Sequence, residues 1–119
     1  MEQKHHEELD CPLQSARVHL HIRDALDTVQ GKWRIPIIAE LLDGPKRFRK
    51  IALALSGITD RMLSIELKNL EINELVIKKM KSKYRMEMEY ELTAHGYELK
   101  PLITALIEWG KLHRDKISR

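Results

Sequence analysis

The 119 residues suffice for one compact domain with a hydrophobic core and leave no room for a catalytic domain beside a separate binding domain. At 43% hydrophobic and 33% charged residues, the chain reads as soluble and globular, which excludes a disordered polypeptide. No stretch approaches the roughly 18 apolar residues that cross a bilayer, and the opening MEQKHHEELD lacks the apolar segment of an export signal; a cytoplasmic protein with no membrane partner is expected.

The net charge of +3 is modest but unevenly spread. Residues 1–42 hold five Lys/Arg against seven Asp/Glu, residues 43–86 eleven against five, and residues 87–119 five against six. A basic centre between two mildly acidic ends is the pattern of a phosphate-contacting module flanked by interaction helices. A solvated lysine-rich surface would produce the same count.

Val18, Ile22, Ala25, Leu26 and Val29 fall on one helical face and predict a first helix over 13–29. Gly31 interrupts it. Trp33, Ile37, Ile38, Leu41 and Leu42 mark a second helix, with Pro36 in the first turn, where a missing N–H costs least, and Gly44-Pro45 as its stop. Phe48, Ile51, Ala52 and Leu55 repeat at helical spacing in a short third helix closed by Ser56-Gly57. A fourth opens at once: Thr59 is its N-cap, Asp60 suits the positive end of the helix dipole, and Leu63, Leu67 and Leu70 form the inward stripe. Two short helices across a tight glycine-containing turn predict a helix-turn-helix.

Beyond Asn73 the period falls from 3.6 to 2. Met86, Met88, Tyr90 and Leu92 alternate with Glu87, Glu89 and Glu91, a half-buried strand whose partner is Leu75 to Lys81. The short polar link Ser82-Lys83-Tyr84-Arg85 makes a hairpin with a basic tip, the wing of a winged helix. Thr93 caps a last helix carrying Leu99, Leu102, Ile103, Leu106, Ile107 and Trp109, an apolar surface too wide for one partner, in which Pro101 predicts a kink or a late start. The fold class expected is mostly α with a small β-hairpin, a winged helix-turn-helix.

With the leucine stripe inward, the fourth helix turns Thr59, Arg61, Ser64, Ile65 and Lys68 outward near its start, as candidates for base edges in the major groove. Arg61 is the residue best suited to a bidentate contact with guanine. Lys46, Arg47, Arg49 and Lys50 open the third helix, and Lys81, Lys83 and Arg85 crowd the wing; phosphate contact is their expected common task. For any one of these cations, plain solvation is the competing reading.

Cys11, the single cysteine, excludes an internal disulfide framework. It lies beside Pro12 near a helix N-terminus, which favours thiolate and makes it a candidate thiol sensor, while the adjacent Asp10 opposes that ionisation. No metal site is expected: His5 and His6 are neighbours, and His19 and His21, two apart, diverge by about 200° on a helix. There is no nucleophile elbow, no phosphate loop and no metal-binding helix motif, so neither an enzyme nor a cofactor is expected.

The strings GKW at 31–33, GPKRF at 44–48, GITDRML at 57–63, LKNLEINELV at 67–76, EYELTAHG at 89–96 and EWG at 108–110 occur in this order. Together they closely resemble the HxlR-type regulators, winged-helix relatives of the MarR family, over about residues 20 to 114. The resemblance implies a bacterial homodimer, bound to a pseudo-palindromic operator on double-stranded DNA, that represses or activates nearby genes. It assigns residues 13–30 and 94–117 to dimerisation helices, with Val18, Ile22, Leu26, Leu102, Leu106 and Trp109 at the interface. Residues 33–93 become the DNA-binding core with its wing at 82–86, and residues 1–12 a flexible tail, all within one domain over 1–119.

Several such regulators sense oxidants, quinones or aldehydes through a Cys-Pro pair near the N-terminus, which implies an oxidant or small-molecule inducer. Cys11-Pro12 is similar to that pair, although a gapless alignment places Leu20 at the sensor position. The chain departs from the family at two further places. Arg85 stands about where a wing proline is common, and Glu74 where many relatives carry glycine, so that Asn73 is expected to take the left-handed position after the fourth helix.

Two other readings use the same residues. A winged-helix adaptor would dock a protein partner without binding DNA. A ligand-sensing regulator would use a pocket at the dimer interface near Trp33 or Trp109.

Overall fold

A computed structural model describes residues 12–118 of the chain. Six helices and one hairpin follow in order among the described residues: α1 Pro12–Val29, α2 Arg34–Leu41, α3 Phe48–Ala54, α4 Asp60–Ile72, β1 Val76–Ser82, β2 Glu87–Leu92, α5 Ala94–Tyr97 and α6 Lys100–Ile117. The molecule divides into two compact units, one ending at Gly31 and holding α1, the other beginning at Lys32 and holding the rest. The expected tail lies outside the described residues except for Pro12, which already opens α1.

Local chemistry explains most boundaries. Gly44 adopts φ +136° and Gly57 φ +94°, conformations that side-chain-bearing residues rarely reach, and these turns stop α2 and separate α3 from α4. The Thr59 hydroxyl accepts a hydrogen bond from the Met62 N–H at 3.1 Å, capping α4 with Asp60 in its first turn. Pro101 sits in the first turn of α6, the late start foreseen for it. The single terminal helix expected from residue 94 is instead two. Thr93 caps only the four-residue α5, its hydroxyl accepting from Gly96 N–H at 2.9 Å and donating to the Glu74 carbonyl at 2.6 Å.

The end of α4 corrects another expectation. Asn73 keeps φ −84° as the C-cap, and it is Glu74 that takes the left-handed φ of +61°. The Glu74 N–H donates to Glu71 and the Leu75 N–H to Leu70, both at 2.9 Å, the two bonds of a Schellman motif. Leu70 and Leu75 are both buried; returning Leu75 to the core selects the turn position, and Glu74 takes the strained backbone.

In the second unit, α2, α3 and α4 enclose a core of Ile37, Ile38, Leu41, Ile51, Leu63, Leu67 and Leu70. The hairpin closes it with Leu75, Val76, Tyr90 and Leu92, and α6 with Ile103. β1 and β2 are antiparallel, with Val76 opposite Leu92, Lys78 opposite Tyr90 and Met80 opposite Met88, and a bulge between Met80 and Ser82. Met86, expected as the first strand residue, belongs to the wing turn, exposed and at φ +55°.

Candidate nucleic-acid interface

Helix α4 buries Leu63, Leu67 and Leu70 and leaves Arg61, Ser64, Ile65 and Lys68 exposed. These four stand at i, i+3, i+4 and i+7, one continuous outward face. Neither Arg61 nor Lys68 takes part in an ion pair among the described residues. Thr59 lies at the head of this face, its hydroxyl engaged as the cap.

Two ion pairs among the described residues tie α4 to its neighbours. The Arg34 Nε donates to Glu66 at 2.9 Å from the start of α2. Arg49, in the first turn of α3, grips Asp60 with both terminal nitrogens, at 3.3 and 3.0 Å, and this contact raises the Arg49 pKa further above its ordinary range. The pair sets the entry of α4 against α3 and leaves Arg49 exposed beside it.

The cations expected at phosphates divide into groups. Lys50 and Lys83 are exposed and outside any ion pair among the described residues. Lys81 pairs with Glu89 at 3.3 Å, Arg47 with Glu87 at 2.8 Å, and Arg85 with the same Glu87 at 3.8 Å. Lys46 lies elsewhere than expected: its side chain is only 14% exposed, and its ammonium contacts Glu40 at 3.0 Å, Asp43 at 2.9 Å and the Glu40 carbonyl. Lys46 ties α3 to the end of α2, and its pKa is raised by the hydrogen bond to Asp43 and, against the opposing effect of burial, by Glu40.

The Glu87, Glu89 and Glu91 alternation, legible in the sequence as a strand pattern, also supplies counter-charge to the cations of the hairpin and of α3. The signal lay in the lysine alternation of β1, since Lys79 and Lys81 fall on the same hairpin face as the glutamates, with Lys79 to Glu91 at 3.4 Å. Arg47, Lys50, Lys81, Glu89 and Leu53 line an open groove of about 690 Å³ between α3 and the hairpin.

Cys11 lies outside the described residues. In α1, Val18 is half-buried and Ile22 and Leu26 are exposed; in α6, Leu102, Leu106 and Trp109 are exposed, with Trp109 stacked on His113 at 4.8 Å between ring centroids. Trp33 packs on the core of the second unit. Among the described residues, no three His, Cys, Asp or Glu side chains cluster as metal ligands, and no helix is long and apolar enough to cross a membrane.

A short helix, a glycine turn, a capped second helix with a free outer face, and a charged hairpin make a winged helix-turn-helix, and comparison with known families agrees: the model of the HxlR-like helix-turn-helix family matches residues 28–118. The chain belongs to that family. It is 32% identical over 98 residues to YdeP, an HTH-type transcriptional regulator of Bacillus subtilis strain 168, a match covering 82% of this chain and 77% of YdeP. The redox regulator HypR, in its reduced form, has the same fold with a TM-score of 0.76 at 32% identity, covering 82% of this chain and 96% of HypR. A MarR-family regulator from Enterococcus faecalis V583 gives a TM-score of 0.73 at 35% identity, covering 85% and 92%. An HxlR-like chain of this kind is a helix-turn-helix transcriptional regulator.

Proposed function

We propose that the chain binds double-stranded DNA sequence-specifically, as a homodimer on a pseudo-palindromic operator. The observation that carries this reading is the outer face of α4, where Arg61, Ser64, Ile65 and Lys68 are exposed together beyond a capped N-terminus. A helix presented this way enters the major groove with its first turns, and two such helices in a dimer address half-sites about one DNA turn, roughly 34 Å, apart. Arg61 reads a base edge, Thr59, Ser64, Ile65 and Lys68 complete the reading face, and Arg47, Arg49, Lys50, Lys81, Lys83 and Arg85 contact phosphates.

Exposed apolar residues on α6, and separately on α1, support a homodimer, because large apolar side chains left in water favour burial against a partner. The redox regulator HypR as a relative supports an oxidant or electrophile as inducer, with Cys11 as the one thiol available.

Genomic fragments retained by the protein are sequenced, and matched and scrambled duplexes are titrated by fluorescence anisotropy at two salt concentrations. Arg61→Ala should reduce discrimination between the duplexes, whereas Lys83→Ala should weaken both and lower the salt slope by about one unit. Unchanged binding by both variants would refute the assignment of residues, and absence of salt-sensitive binding by the wild type would leave the adaptor reading. For the thiol, diamide should change operator affinity of wild type and leave Cys11→Ser unaffected; equal responses remove Cys11 from the mechanism.

A further inference from the structure

We propose that Glu87 is an internal substitute for a DNA phosphate, holding Arg47 and Arg85 until the backbone of DNA displaces it, and so restrains sequence-independent adhesion. The proposal rests on the DNA-binding reading and adds a residue that reading does not use. Arg47 comes from the start of α3 and Arg85 from the wing tip, and both approach one oxygen, Glu87 Oε2, at 2.8 and 3.8 Å. Two guanidinium groups converging on a single anionic oxygen is also how a non-bridging phosphate oxygen is held. The side-chain exposures are asymmetric: Glu87 is 17% exposed, Arg47 52% and Arg85 74%. The carboxylate lies beneath, and the two cations remain open to an anion arriving from outside.

Nonspecific binding is driven by release of counterions when cations meet phosphates. Cations already neutralised by a carboxylate add less to it, because that carboxylate, once uncovered, must take up another cation when its arginines leave. Base contacts from α4 do not involve Glu87 and keep their full contribution. Glu87 therefore lowers affinity for any duplex while leaving sequence discrimination to α4, and its removal raises scrambled-DNA binding. Glu89 on Lys81 and Glu91 on Lys79 repeat the arrangement with one cation each.

The test compares wild type, Glu87→Gln and Glu91→Gln on matched and scrambled duplexes over a salt series, with thermal melts establishing that each variant is folded. Glu87→Gln should bind the scrambled duplex roughly three- to tenfold more tightly, with a log–log salt slope steeper by about one unit, and Glu91→Gln should shift both less. Wild-type affinity and slope for Glu87→Gln would overturn the proposal. Weaker binding would overturn it too, since it would make Glu87 a brace for the two arginines. Should Glu87→Gln fail to fold, the carboxylate carbon resonance of Glu87 in wild-type protein decides: it should move when scrambled duplex is added, and a resonance that stays while DNA binds overturns the exchange. A wild type that binds neither duplex refutes the DNA-binding reading itself, a result separate from these.

Discussion

Lys46 and Tyr90 exchange backbone hydrogen bonds: the Lys46 N–H donates to the Tyr90 carbonyl at 2.9 Å, and the Tyr90 N–H returns to the Lys46 carbonyl at 2.8 Å. This isolated bridge fastens the loop before α3 to the second strand of the wing, so the helix-turn-helix and the hairpin share a hydrogen-bonded edge. The Lys46 side chain meanwhile runs back to Glu40 and Asp43. Lys46→Met keeps the backbone bridge and the aliphatic stem but removes the ammonium. It should cost about 1–2 kcal/mol of stability in urea unfolding, while changing the salt slope of DNA binding far less than Lys50→Met.

The same cluster sets a pH dependence. The Lys46 hydrogen bond and charge hold the Asp43 carboxyl below its ordinary value of 3.8, so its contribution is present above that value and is lost as pH falls beneath it. Lys46 is raised above its ordinary 10.5, with the Asp43 hydrogen bond the largest cause; its contribution is present below 10.5 and is lost as pH rises above it. Asp43→Asn should reduce stability relative to wild type at pH 7, with the difference shrinking in acid below 3.8 and in alkali above 10.5. A difference independent of pH in chemical denaturation would refute the assignment.

At the end of α4, Glu74 holds a left-handed backbone that costs a side-chain-bearing residue about 1–2 kcal/mol. Glycine removes that strain and loses about 0.4–1 kcal/mol to the greater freedom of its unfolded chain. Glu74→Gly should therefore stabilise the protein by about 0.5–1 kcal/mol, whereas Glu74→Ala, equally strained, should not; thermal melts of the two variants separate backbone strain from loss of the carboxylate.

Gly96 has the opposite character. A Cβ placed there would lie 2.3 Å from the Leu75 carbonyl oxygen, and that oxygen is fixed by the Thr93 N–H at 3.0 Å. Since backbone rather than a flexible side chain must yield, Gly96→Ala should destabilise by about 2–3 kcal/mol, read as a shift of the urea midpoint with unchanged slope.

For the proposed dimer, Leu106→Glu places a charge on the exposed apolar face of α6, where Trp109 is 62% exposed. Sedimentation should show a monomer with wild-type helix content and operator affinity reduced by at least tenfold. A dimer that persists would remove α6 from the interface.

Much of this molecule is written locally. The boundaries of α2 and α4 follow from Pro36, Gly44, Thr59 and the leucine stripe, because caps, breakers and periodicity act over one or two turns. The reading face of α4 follows from the same stripe. The left-handed position falls to Glu74 although Asn73 tolerates that region better as an isolated residue. The burial of Leu75 against Leu70 outweighs that preference, and the partner that decides is in the core.

Local patterning along the chain carries the winged helix-turn-helix order and a basic stretch from Lys46 to Arg85. How much of that charge is available depends on contacts between residues far apart in the chain. Counting along the chain separates the cations up to Arg85 from the glutamates that begin at Glu87. Strand pairing sets Lys79 and Lys81 within reach of their diagonal neighbours Glu91 and Glu89, and the start of α3 and the wing turn bring Arg47 and Arg85 onto Glu87. The Coulomb energy of each pair depends on distance through space, which a linear count of residues does not contain.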